Sequence, residues 1–300
     1  MAEVPKYAIL GPTASGKSAL AAVVAARIGG TVVNGDPFQS FQELPVGTGQ
    51  PGSAERSAAP HLGYGLLELS ACGRMNPSWF GVQVREWLQC THPVLVTGSG
   101  LYLRGIWDQL TELPPVPAAV AARTRRWAAL LCAPALHRYL AAVDPVRAAD
   151  LHPNDLSRIQ RALALHLATG LPPSRLLAGI ERGVPRGWRA LLVLPSRERQ
   201  RERVAARVRQ MLAAGWAEEA AAAREAGLEA QLRRLRPLGY EVLLDDPAGA
   251  AGRIIRATQA YAKRQATFFR NQWPGLPAWD PDAEPLESAL DRLGLGGIRV

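Results

Sequence analysis

The sequence predicts an α/β chain: a parallel sheet with helices on both faces, interrupted by an inserted all-helical domain. Three observations carry this. Four short apolar runs, at 6–10, 31–34, 93–96 and 189–194, alternate with helical segments, as in sheets whose strands are buried on both faces. Each run ends at a loop holding a glycine or proline: Gly11, Gly35, Gly98 and Pro195. Finally, two stiff breaks, Leu113-Pro114-Pro115-Val116-Pro117 and Gly183-Val184-Pro185-Arg186-Gly187, bracket a stretch that reads as helices only.

In chain order, Tyr7-Ala8-Ile9-Leu10 leads into a glycine-containing loop and an Ala-rich helix that ends near Gly29-Gly30. The second strand, Thr31-Val32-Val33-Asn34, ends at Gly35-Asp36. The third, Pro93-Val94-Leu95-Val96, ends at Thr97-Gly98-Ser99-Gly100. Residues 113–187 form the helical insertion, with a start signal at Asn154/Asp155 and a stop at Gly170. The core is then 1–112 with 188–300. It resumes with the strand at 189–194 and a basic helix from about 197 to 214. Arginines there alternate with Glu198 and Glu202, which reads as a self-paired surface helix. Beyond Asp280 the chain is acidic and is expected at the periphery. No internal repeat is present.

Composition narrows the class. A chain of 300 residues, 48% of them hydrophobic, can bury one large core with a smaller appended unit. No stretch of eighteen apolar residues occurs, and no charged-then-apolar leader opens the chain, so no membrane span and a cytoplasmic location are expected. Cys72, Cys90 and Cys132 lie far apart without metal spacing and read as reduced thiols. The net charge is +9, and its placement is informative. Residues 1–110 hold seven basic and seven acidic side chains, 111–196 eleven against five, and 197–270 fifteen against nine. A surplus confined to the middle of the chain suits a polyanion partner.

The strongest motif is Gly11-Pro12-Thr13-Ala14-Ser15-Gly16-Lys17-Ser18, which fits G-x-x-x-x-G-K-[ST] between a strand and a helix. Such a loop turns backbone N–H groups onto phosphate oxygens at a helix N-terminus. Lys17 adds a mobile charge, and the Ser18 hydroxyl can ligate Mg2+. The sheet is therefore of the P-loop NTPase-like kind. A hydrolytic NTPase places a further acid at another strand end, yet 93–98 and 189–194 end without one. Asp36 is the acid at a strand end. The residues alone leave it equally a base aimed at a nucleophile or a metal ligand.

With these blocks in hand the chain resembles the tRNA dimethylallyltransferases (tRNA isopentenyltransferases). The likeness runs from Gly11–Ser18 through Asp36-Pro37-Phe38-Gln39, Gly98-Ser99-Gly100-Leu101-Tyr102, and His152-Pro153-Asn154-Asp155 with Arg158 and Arg161. It continues in Leu238-Gly239-Tyr240 and in Lys263-Arg264-Gln265 to Arg270, so it covers roughly 11 to 270. The resemblance implies that the loop holds dimethylallyl diphosphate with Mg2+. Asp36 would then take a proton from N6 of adenosine 37, next to the anticodon of tRNA. Lys17 and the loop amides would stabilise the departing diphosphate, Ser99 would hydrogen-bond near the reacting centre, and Arg236 would be a second diphosphate clamp. It also implies tRNA contact at Asp36, Pro37, Phe38, Gln39, Arg158, Arg161, Arg236, Lys263, Arg264, Gln265 and Arg270. The helical insertion and the core would together admit an anticodon stem-loop, and a monomer is expected.

Several positions depart from the family pattern. Pro37 and Phe41 replace a serine and a tyrosine, Gln50 replaces a lysine, and Ser99 replaces a threonine. Downstream, 252–270 reads as an amphipathic helix with Arg253, Arg256, Lys263, Arg264 and Arg270 within about a 120° arc. Phe268 and Phe269 fall opposite, as core. His152 and His166 read as structural. Gln39 could read an adenine edge or brace its loop. Three rivals stay open: a prenyltransferase acting on free AMP or ATP, a small-molecule kinase with ATP in the loop, and a non-enzymatic RNA-binding NTP sensor.

Overall fold

The computed structural model describes residues 5–110, 113–178 and 183–297 and divides the chain into two compact units, Met1–Asp108 with Arg182–Val300, and Gln109–Glu181. The proline-rich breaks had placed the second unit at 113–187. Its end falls earlier because residues 183–187 are tied to the sheet: Lys6 N–H donates to the Gly187 carbonyl, and Trp188 N–H to that of Pro185.

The first unit is built on a six-stranded sheet in the order β3-β2-β4-β1-β5-β6, parallel throughout. β1 (Lys6–Leu10), β2 (Thr31–Asn34), β4 (Pro93–Thr97) and β5 (Trp188–Val193) coincide within a residue with the apolar runs. β4 is buried at all five positions, which is why it lacks polar alternation. β3 (His61–Leu62) and β6 (Ala278–Trp279) are two residues each, too short to carry a periodic signal. At the centre, Leu10 of β1 lies opposite Thr97 of β4 on one side and Leu192 of β5 on the other. The loops after β1, β2 and β4 therefore emerge together at the carboxyl edge, where parallel sheets bind ligands.

The Lys17–Ile28 helix buries Leu20, Ala21, Val24 and Ala25 against the sheet, at helical spacing, and stops at Gly29 with φ 61°. The segment after Asp280 is a correction to the sequence reading. It supplies the Leu286–Arg292 helix, and Leu290, Leu293 and Leu295 join the core beside Val24 and Val193. Burying three leucines contributes about 2 kcal/mol each. Of its charges, Glu284 is paired with Arg292 and Asp282 with Arg203.

The second unit is helical. Leu136, Leu140, Ile159 and Leu163 from the Ala133–Val143 and Leu156–Thr169 helices form its core. Asp155 caps the latter helix by accepting the Arg158 N–H at 3.2 Å, and Gly170 ends it at φ 70°. Among the described residues no helix is long and apolar enough to cross a membrane.

Candidate active site

The phosphate loop is shaped by close approach and by left-handed backbone. A Cβ at Gly11 would lie 2.6 Å from the Val193 carbonyl oxygen and 2.8 Å from Ser15 Oγ, so a side chain is excluded where the loop leaves β1. Ala14 and Gly16 both take positive φ, 60° and 94°. Alternation of this kind curls successive amides toward one point, an anion-binding concavity. Gly16 opens the Lys17–Ile28 helix without a side-chain cap, and the Lys17 N–H donates to Ser15 Oγ at 3.3 Å.

The loop is braced from two helices. Gln265 accepts the Thr13 N–H at 2.9 Å and donates to the Gly98 carbonyl at 2.8 Å, fastening the loop after β1 to the loop after β4. Gln200 donates to the Thr13 carbonyl at 3.2 Å, and Arg203 to that of Ser15 at 3.2 Å. Gln265 is thus a brace of the loop. It is 6% exposed with its amide engaged at both ends.

Above the loop lies a cavity of about 370 Å³. Lys17, Ser18, Asp36 and Arg207 form part of its polar wall, while Val204, Val208, Met211, Trp216 and Leu238 supply an apolar wall. Arg236 and Arg264 also line it. Asp36 follows β2, and its Oδ1 accepts the Phe38 N–H at 3.0 Å. Burial pushes its carboxyl above the ordinary carboxylate range, against the pull of the Phe38 amide, Lys17, the Gln39 amide and Arg207. Burial and the neighbouring Arg207 lower the Lys17 ammonium to about 8, with Asp36 pulling the other way. Burial also draws Arg207 below its ordinary value, opposed by Glu55 and Asp36. These groups form one coupled electrostatic cluster.

Of the residues expected here, Thr13, Ala14, Lys17, Ser18, Asp36, Phe38, Gln39 and Arg236 meet at the cavity. Arg236 is exposed and paired with Glu241 at 3.1 Å. Ser99 is not part of the lining. Thr97 lines the cavity instead, its Oγ1 accepting the Ser99 N–H at 3.1 Å and donating to the Gly35 carbonyl at 2.7 Å. Pro37 is buried. Gln39 Nε2 donates to the Thr48 and Gly49 carbonyls at 3.0 and 2.9 Å, which settles its amide hydrogens on bracing. In the second unit Arg158 is exposed and pairs with Asp155 at 3.5 Å, and Arg161 is exposed.

The Arg197–Ala213 helix corrects the expectation of a self-paired surface element. Arg199 does pair with Glu202, at 3.1 Å, but Gln200, Val204, Arg207, Val208 and Met211 face inward to the loop and cavity. That spacing, i, i+4, i+7, i+8, i+11, is one helical face, so a cation on an apolar stripe was the available signal for Arg207.

The basic stripe of the Ala250–Gln272 helix is also divided. Arg253 pairs with Asp246 at 2.8 Å. Arg264 turns to the cavity, its guanidinium 5.7 Å from the centroid of Tyr261. Arg256, Lys263 and Arg270 line a separate groove with Arg197 and Arg201, and no acidic residue lines it among the described residues.

Ser18 and Asp36 offer hydroxyl and carboxylate oxygens beside the loop, the hard donors that Mg2+ takes together with substrate phosphates. No group of three or more His, Cys, Asp or Glu suited to a metal occurs among the described residues.

Two family models match the chain, one described as IPP transferase over residues 39–272 and one as isopentenyl transferase over residues 4–59. The chain is 40% identical over 291 residues to a protein of Rhodospirillum centenum named tRNA dimethylallyltransferase, covering 92% of each. It is 39% identical over 277 residues to one of that name from Acidiphilium cryptum, covering 89% of this chain and 84% of the other. Among solved structures it resembles a tRNA delta(2)-isopentenylpyrophosphate transferase of Staphylococcus epidermidis, with TM-score 0.62, 25% identity and 97% of both chains covered.

Proposed function

This chain belongs to the IPP transferase family, and from that premise we propose that it transfers a dimethylallyl group from dimethylallyl diphosphate to N6 of adenosine 37 in tRNA. The observation that carries the reading is one cavity in which the phosphate loop's Lys17 shares a wall with the strand-end carboxylate Asp36, facing an apolar wall. The diphosphate sits on the loop amides, and the five-carbon group on Val204, Val208 and Met211. Burying a chain of that size contributes about 4 kcal/mol at most.

In the reaction N6 attacks C1 of the prenyl group as the C1–O bond breaks, and the electron pair leaves with diphosphate. Asp36 accepts the N6 proton. Lys17 and Arg207 stabilise the charge that grows on the leaving group, and the cavity limits competing attack by water. Mg2+ held by Ser18 would neutralise further diphosphate charge when bound. The target base has to leave its stack to reach the site. The acceptor assignment is tested by an anticodon stem-loop carrying guanosine at position 37. Product is expected with adenosine and none with guanosine; equal prenylation of both would overturn the assignment.

Two predictions follow from the electrostatics. kcat/KM should be bell-shaped in pH, because Asp36 has to be ionised to accept a proton and Lys17 has to be charged to meet the diphosphate. The acid limb should lie above the ordinary carboxylate range, and the alkaline limb near pH 8, where the free enzyme's ammonium deprotonates. In Lys17→Arg the alkaline limb should move out of the accessible range, since guanidinium stays charged. An unmoved limb would assign it to another group.

The groove between the Arg197–Ala213 and Ala250–Gln272 helices is proposed to take part of the tRNA backbone. Arg256→Ala and Lys263→Ala should each weaken tRNA binding and lower the slope of log K against log salt by about 1. Fluorescence anisotropy across a salt series checks this, and an unchanged slope would remove the groove from the footprint.

A further inference from the structure

Asn34, the last residue of β2, lies outside the cavity lining and is fully buried, yet its side chain is among the most heavily hydrogen-bonded in the protein. Its Oδ1 accepts the Asp36 N–H at 2.8 Å. Its Nδ2 lies 2.9 Å from the Asp36 carbonyl oxygen, 3.0 Å from Ser40 Oγ and 2.9 Å from the Gly63 carbonyl oxygen. One amide thus grips Asp36 through both its backbone N–H and its carbonyl, and ties that grip to two further segments. The intervening Gly35 is held from the other side, its N–H donating to the Val96 carbonyl at 2.8 Å and its carbonyl accepting from Thr97 Oγ1.

From this geometry we infer that Asn34 is a positioning residue for prenyl transfer, fixing the backbone from which the Asp36 carboxylate meets the acceptor nitrogen. The inference rests on Asp36 acting as the base.

The chemistry of the position favours an amide. Two hydrogens face three acceptors, and one acceptor faces an N–H, so an aspartate of the same shape would turn an oxygen toward three oxygens. An alanine would leave the Asp36 N–H and the Gly63 carbonyl without their partner in a buried place. Serine keeps one donor and one acceptor and can form the same local turn more weakly. Displacing the base by about 1 Å is enough to slow a reaction by about a hundredfold. Asn34 itself makes no contact with the cavity, so substrate binding should be insensitive to it.

The test is single-turnover transfer to tRNA by the full-length protein carrying Asn34→Ala, Asn34→Ser, Asp36→Ala, or Asn34→Ala with Asp36→Ala. Asn34→Ala should lower the rate about 10- to 100-fold, with the KM values for both substrates within about twofold, and Asn34→Ser should recover at least about fivefold of that loss. In the Asp36→Ala background, Asn34→Ala should change the residual rate by less than about twofold, because it acts through Asp36. If Asn34→Ala does not fold, the Asn34→Ser pair with and without Asp36 carries the same comparison. A wild-type rate in Asn34→Ala, or in Asn34→Ser where that variant stands in, with Asp36→Ala inactive, would overturn the positioning role alone. A further loss in the Asp36→Ala background would make Asn34 merely structural. An active Asp36→Ala protein would instead remove the base assignment on which the inference stands.

Discussion

Asp36→Ala is expected to slow prenyl transfer by about 10²–10⁴-fold in single turnover, the range a positioned general base contributes. tRNA affinity should stay within about twofold. The substitution removes one carboxylate from the wall of a cavity that RNA phosphates need not enter, whereas the exposed cations of the groove are untouched. Its effect on folding should be small or favourable. Burial already disfavours the charged carboxylate, which offsets the loss of the bonds from the Phe38 and Gln39 amides. Asp36→Asn should be nearly as slow as the alanine variant, because an amide keeps the shape and the Phe38 contact but cannot accept the proton. A rate close to wild type in either variant would place the base elsewhere.

Arg207→Ala should cost about 10²–10³-fold in kcat, comparable to removing one preorganised donor from a developing anion. The argument is electrostatic and geometric. The half-buried guanidinium is held in the cavity wall between an apolar face and the Gly49 carbonyl, its charge is coupled to Lys17 and Asp36, and no carboxylate forms an ion pair with it among the described residues. A half-buried cation without an ion-pair partner is costly unless an anion arrives, and in the proposed reaction that anion is the diphosphate. Arg207→Lys should fall between the two, keeping the charge but losing the planar fork. The loss should appear in the affinity for inorganic diphosphate as well as in kcat. If diphosphate binds Arg207→Ala as tightly as wild type, Arg207 belongs to the cavity wall and not to leaving-group stabilisation.

The fold was largely legible because its signals are local. The buried runs of β1, β2, β4 and β5 and the G-x-x-x-x-G-K-S turn each announce themselves over a few residues, as do the Asp155 cap and the Gly170 stop in the second unit. The acidic C-terminal segment was misread because charge was weighed over the spacing of Leu290, Leu293 and Leu295, which pack beneath it. The site was legible where chemistry and motif coincide, at Lys17, Ser18 and Asp36. It was not legible where a residue's role depends on which way a helix is turned. Gln265 and Arg264 are adjacent, yet one is buried under the loop and the other reaches the cavity. Arg207 shares its helix with the exposed Arg199 and Arg209, and its inward neighbours Val204, Val208 and Met211 had to be read together to set it apart. Thr97 and Asn34 act on backbone atoms brought together by the strand order, contacts no single segment encodes.

The central claim is that the loop holds a prenylated leaving group while Asp36 faces the attacking nitrogen. The most direct measurement is mass spectrometry of nucleosides from unmodified tRNA incubated with the enzyme and dimethylallyl diphosphate, with released diphosphate counted in parallel. The account predicts isopentenyladenosine and diphosphate in equal amounts, with ATP left intact when it is added instead. Cleavage of ATP in the loop, with no isopentenyl mass on any adenosine, would contradict it.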